Sequence, residues 1–76
     1  MERIGVDCRF EANGRVRVRR IRMGETWHTV AQGRQWQDTS GRHVLVMLAG
    51  ERIAELLLSA EDLTWRLVMR PRQTIL

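Results

Sequence analysis

Five guanidinium groups crowd one octapeptide, Arg15-Val16-Arg17-Val18-Arg19-Arg20-Ile21-Arg22, in a chain with thirteen arginines and no lysine. Guanidinium is permanently charged and planar, and its paired N–H donors match the oxygens of phosphate or carboxylate. The block opens as strict alternation with valine, the period of a half-buried strand that hides its apolar residues and displays its charges. Read functionally, Arg15, Arg17, Arg19, Arg20 and Arg22 form a phosphate-binding row. Read structurally, they are a solvated edge that discourages pairing with other chains.

Tryptophan supplies the second element of that chemistry. Met23-Gly24-Glu25-Thr26 reads as a two-residue hairpin turn with glycine first. That turn sets Arg22 opposite Trp27 and Arg20 opposite Thr29, so the indole joins the arginine face as a surface for base stacking. A three-residue loop would instead turn Trp27 into the core. Trp36, with Arg34 and Asp38 on its own face, is a second candidate for stacking, while Trp65 heads the apolar triplet Trp65, Leu67, Met69 and belongs to the core.

Other chemistries find little here. His28 and His43 lie on different predicted strands, with no cysteine or carboxylate at metal-ligand spacing. The sequence holds neither a glycine-rich phosphate loop before a helix nor a nucleophile elbow. Cys8, the only cysteine, reads as a small buried apolar residue. No enzyme activity, cofactor or metal is expected.

The charge is asymmetric. Residues 1 to 42 hold nine arginines against five acids, and residues 43 to 76 hold four against four, so the net +4 belongs to the first half. Arginine bias from a GC-rich genome accounts for the total better than for the clustering. No apolar run approaches the roughly 18 residues of a membrane span. Met1-Glu2-Arg3 opens without the apolar stretch of a signal peptide, so a cytoplasmic location is expected.

The elements that must position these residues are strands. Turn signals recur every eight to twelve residues, which predicts an all-β fold: a small antiparallel barrel or curled sheet of six to seven strands, of SH3-like or OB-like size. A chain this short buries only about 60% of its unfolded surface, so it forms a single domain with a thin core. That domain is expected over residues 1 to 71, with 72 to 76 a flexible tail after Pro71. Strands are expected from Arg3 to Phe10, Arg15 to Met23, Thr26 to Ala31, Gly33 to Asp38, His43 to Ala49, Ile53 to Leu58 and Thr64 to Arg70. Ser59-Ala60-Glu61-Asp62 has the spacing of a helix N-cap and predicts a short helical turn near 59–63. An alternative α+β reading makes residues 51 to 69 a C-terminal amphipathic helix.

Two details are specific. Val16 and Val18 differ in parity from Ile21 and Met23, so a β-bulge near Arg19-Arg20 is needed to bring all four to one face. Gly50-Glu51 is expected to be a second two-residue turn, which places Val44, Val46, Leu48, Ile53 and Leu57 on one face of the 43–58 hairpin and Leu45, Met47, Ala54, Leu56 and Leu58 on the other. A hairpin apolar on both faces needs cover, and the first set is the candidate interface for a dimer or a protein partner.

The order Asn13-Gly14-Arg15-Val16, Ile21-Arg22-Met23-Gly24-Glu25-Thr26-Trp27-His28-Thr29-Val30, Arg34-Gln35-Trp36, Arg42-His43-Val44-Leu45-Val46, Glu55-Leu56 and Trp65-Arg66-Leu67 resembles a small uncharacterised bacterial β-domain family. That family occurs alone or in association with Y-family DNA polymerase-like proteins of mutagenic repair. Its members often carry an aromatic where Ile21 or Met23 stands here. The resemblance implies a DNA-repair setting and no activity. The expected function is a non-catalytic accessory domain binding single- or double-stranded nucleic acid through the arginine strand. The alternative is a homodimerising or protein-interaction module, with a repair protein as one partner.

Overall fold

The computed structural model describes residues 2 to 73 as eight strands and no helix: β1 (Glu2–Arg3), β2 (Gly5–Phe10), β3 (Val16–Met23), β4 (Thr26–Thr29), β5 (Ala31–Asp38), β6 (Gly41–Leu48), β7 (Arg52–Ser59) and β8 (Trp65–Gln73). All pairs are antiparallel. They form a five-stranded sheet in the order β1-β8-β7-β6-β5 and a three-stranded sheet in the order β2-β3-β4. The expected all-β class holds, but the ladder does not run round as a closed barrel. It breaks where the chain turns from one sheet into the other, at Ile4 between β1 and β2 and at Val30 between β4 and β5.

The sheets enclose one apolar layer. β3 contributes Val16, Val18 and Ile21, and the larger sheet contributes Val44, Val46, Leu48, Ala54, Leu56 and Leu67. The bulge on β3 makes this layer continuous. Asp7 pairs with Arg20 and Cys8 with Val18, which leaves Arg19 as the extra residue. Without it, Ile21 would point outward with the arginines, because strand side chains alternate strictly.

β4 pairs only with Arg20 to Met23, so the first half of β3 has an edge without a neighbouring strand. Two glutamine side chains from β5 fill the gap. Gln32 accepts from Val18 N–H at 2.6 Å and donates to the Val16 carbonyl at 2.8 Å; Gln35 accepts from Val16 N–H at 3.1 Å and donates to the same carbonyl at 2.8 Å. A primary amide carries the same donor and acceptor as a peptide, so these side chains act as a surrogate strand.

Three expectations fail for local reasons. Ser59 to Leu63 is a single turn closed by Leu63 N–H to the Ser59 carbonyl at 2.8 Å, with Leu63 at φ 59°, a left-handed residue that stops helix growth. The C-terminal helix is likewise absent: β7 and β8 occupy residues 52 to 73 as a hairpin. Pro71 stands inside β8, in the stretch between the pairs Glu55↔Met69 and Ile53↔Arg72 where register slips and no N–H is required. Residues 74 to 76 of the expected tail lie outside the described residues.

The loop between β6 and β7 also corrects a prediction. Leu48 pairs with Arg52, so Ala49-Gly50-Glu51 is a three-residue loop, with Gly50 at φ 78° and Glu51 at φ 58°. One added residue exchanges the faces of the returning strand. Val44, Val46 and Leu48 face the core with Ala54 and Leu56, whereas Ile53 and Leu57 lie on the outer face opposite Met47 and His43. The five residues expected to form an interface are therefore split between two faces: three are core, and of the outer pair Leu57 is itself buried. Among the described residues no helix is long and apolar enough to cross a membrane.

The amide bridge has a measurable weight. Gln32→Met keeps the side-chain length but leaves the buried Val18 N–H without an acceptor. Such a loss costs about 1–3 kcal/mol and should lower the thermal midpoint by several degrees or more, as read by circular dichroism. An unchanged midpoint would show that the bridge does not support the edge.

Candidate nucleic-acid interface

The outer face of the three-stranded sheet is built in cross-strand rows. One row is Gly5, Arg22 and Trp27; the next is Asp7, Arg20 and Thr29; the third is Arg9 and Arg17. The expected register between Arg22 and Trp27 is the observed one, with Gly24 at φ 62° in a two-residue turn. Trp27 stands among guanidinium groups and is 42% exposed. The Arg20 guanidinium lies 5.0 Å from the ring centroid, within cation–π range.

Glycine at position 5 lets β2 approach Arg22 closely beside this ring. A Cβ there would lie 3.1 Å from Arg22 Cβ, a tight contact, and 3.6 Å from Trp27 Cη2, an ordinary one, so the indole tip rests over β2 at this position. Asp7 holds Arg20 at 3.0 Å, and Glu11 approaches Arg17 at 3.7 Å. Among the described residues, Arg9, Arg15, Arg19 and Arg22 have no acid within ion-pair distance. Arg9 and Arg17 face each other directly, a like-charge pairing that opposes folding and that an anion would relieve.

The sequence-predicted residues divide as follows. Arg17, Arg20, Arg22 and Trp27 share the face; Arg19 is exposed at the bulge, and Arg15 is exposed where the β2–β3 turn ends. Trp36 is elsewhere. It lies on the outer face of the other sheet, stacked on His43 with centroids 4.9 Å apart and planes 2° apart, with the Arg34 guanidinium 4.9 Å from its centroid. Its π surface is already in use, so it does not join the arginine row. Sequence reading missed Arg9: a two-residue Asn13-Gly14 turn sets it opposite Val18, whereas the observed three-residue loop Ala12-Asn13-Gly14 sets it opposite Arg17.

The second cluster of titratable groups centres on His43. Its Nδ1 lies 2.9 Å from Glu55 Oε2 and its Nε2 2.9 Å from Asp38 Oδ2, the latter away from the line of a good hydrogen bond. Burial works against a charged ring, but the Glu55 and then the Asp38 carboxylates outweigh it and hold the His43 pKa above the ordinary imidazole range. With Glu55 on Nδ1, the Asp38 carboxylate near Nε2 and Trp36 on its face, the imidazole is a structural tie whose protonated form both carboxylates favour. The carboxylates sit at opposite ends of the ring and cannot converge on one ion; among the described residues no set of three His, Cys, Asp or Glu is arranged to hold a metal. Cys8 is similarly quiet: burial, then Asp7, pushes its thiol pKa up, away from a nucleophilic thiolate.

Comparison with protein-family models, with curated proteins and with solved structures finds no match to this chain.

The raised His43 pKa fixes a pH dependence. Its contribution to stability is complete below the ordinary histidine pKa and is lost as pH rises through the raised value. Denaturant midpoints should therefore fall over that alkaline-side window, and His43→Gln should flatten the profile there. A wild-type profile that is flat or rising across the window contradicts the charged tie.

Proposed function

We propose that this chain is a non-catalytic, cytoplasmic accessory domain that binds single-stranded nucleic acid on the outer face of β2, β3 and β4. Phosphates pair with Arg9, Arg15, Arg17, Arg19, Arg20 and Arg22, and a base stacks on Trp27. The observation that carries this reading is an exposed tryptophan set among arginines, of which Arg9, Arg15, Arg19 and Arg22 have no acid within ion-pair distance among the described residues. Single strands fit better than duplex because a stacked duplex offers no base face to an indole. The resemblance to repair-associated β domains supports the same direction.

A second reading has its own observation. On the outer face of the larger sheet a shallow, mainly apolar hollow of about 210 Å³ is lined by Ala31, Gly33, Arg34, Leu45, Met47 and Ile53. Met47 is 42% exposed. A protein partner would dock there on Leu45, Met47 and Ile53, with Val46 at the floor of the hollow, and Val44 and Leu48 would take no part.

Fluorescence anisotropy with labelled oligonucleotides tests the first reading. Affinity for single strands should fall with salt at a log–log slope of about −0.7 per phosphate neutralised. Arg17→Ala and Arg22→Ala should each make that slope shallower by about that amount. Trp27→Ala should weaken binding by about 1–3 kcal/mol with little change in slope, since the ring carries no charge. Absence of binding at low salt would refute the proposal.

A further inference from the structure

We propose that β2 is a self-complementary edge through which two copies of this chain pair antiparallel, centred on Cys8. β2 is the outermost strand of its sheet. Along a strand, successive residues aim their N–H and C=O groups to opposite sides. Glu11 N–H donates to the Arg15 carbonyl at 2.8 Å across the β2–β3 hairpin, so Asp7 and Arg9, of the same parity, aim toward β3. Ile4 N–H donates to the Trp65 carbonyl at 3.1 Å on the opposite side. Val6, Cys8 and Phe10 share the parity of Ile4 and aim outward. Among the described residues no backbone group pairs with them on that side.

Edges of this kind are usually blunted by proline, a bulge on the strand or shortness. β2 has six residues and no proline, and the bulge opposite Asp7 belongs to β3. Its charges alternate in sign so as to suit a second copy. With Cys8 opposite Cys8 of the partner subunit, Asp7 faces Arg9 of the partner subunit and Arg9 faces Asp7 of the partner subunit. Val6 meets Phe10 of the partner subunit in the same way, covering a ring that is 59% exposed in one copy. The outward-aiming residues 6, 8 and 10 then form the hydrogen-bonded pairs, giving about six main-chain bonds. A slide of two residues either way, the smallest that keeps residues 6, 8 and 10 in hydrogen-bonded pairs, sets Asp7 opposite itself or Arg9 opposite itself, so the charges select this register.

The pairing joins the two small sheets into one, β4-β3-β2 continuing into its symmetry copy. Paired residues in an antiparallel ladder point to the same side, so both arginine rows lie on one surface. That consequence rests on the nucleic-acid reading; the pairing itself does not.

Sedimentation velocity without nucleic acid, over a wide protein concentration range, tests the pairing. The wild type should pass from monomer to dimer. Asp7→Arg should weaken association on the order of tenfold, because both cross-strand pairs become repulsive. The exchange Asp7→Arg with Arg9→Asp should restore it to near wild type, since that register opposes the swapped charges again. Amide hydrogen exchange gives a second readout on the unmodified chain: protection at Val6, Cys8 and Phe10 should grow with concentration. A wild type that stays monomeric with unprotected amides overturns the proposal, as does an exchange variant that fails to recover. Neither result touches oligonucleotide binding by the monomer.

Discussion

One extra residue in one strand sets the relation between core and surface in this protein. Arg19 interrupts the β2–β3 ladder, so Val16 and Val18 before it and Ile21 after it point into the same apolar layer. The arginines are carried outward by the same displacement. If pairing ran straight through, Ile21 would meet water and Arg20 would enter the core, where an unpaired charge costs several kcal/mol. The basic face is thus the other side of the packing solution, and the two cannot be altered independently.

The remaining architecture accommodates that strand. β4 is too short to cover β3, and β5 belongs to the other sheet, so the first half of β3 depends on Gln32 and Gln35 for its backbone partners. Those amides tie the two sheets together where the ladder is open. On the far side of the molecule, the His43 imidazole between Asp38 and Glu55 ties the ends of β5 and β6 to β7. A thin core of mostly valine and leucine is therefore framed by polar connections on both sheets. Their weight in a chain of 76 residues is proportionally large, because so little apolar surface is available to bury.

Local patterns made much of this legible. The parity slip between Val18 and Ile21 contains the bulge, and Gly24 contains the hairpin register that sets Trp27 beside Arg22. What failed turned on one-residue differences or on tertiary partners. Ala49-Gly50-Glu51 looks like a two-residue turn, yet Glu51 accepts a positive φ and lengthens the loop, exchanging the faces of β7. Ser59 to Leu63 has a capping pattern, but it is the loop of the β7–β8 hairpin, and Leu63 in the left-handed region ends it after one turn. Trp36 carries no local mark of its stacking on His43, since that contact is made across strands. The roles of Gln32 and Gln35 are likewise hidden, because an amide on a strand reads as ordinary surface until the missing neighbour of β3 is known.

The central claim is that polyanion contact occurs on the outer face of β2, β3 and β4. Backbone chemical-shift mapping of labelled protein during titration with a single-stranded oligonucleotide reports it directly, residue by residue. The largest perturbations should fall on Arg9, Arg17, Arg20, Arg22 and the Trp27 indole N–H, with Trp36, Leu45 and Met47 undisturbed. Perturbations centred on the larger sheet, or none at saturating oligonucleotide, would contradict the account.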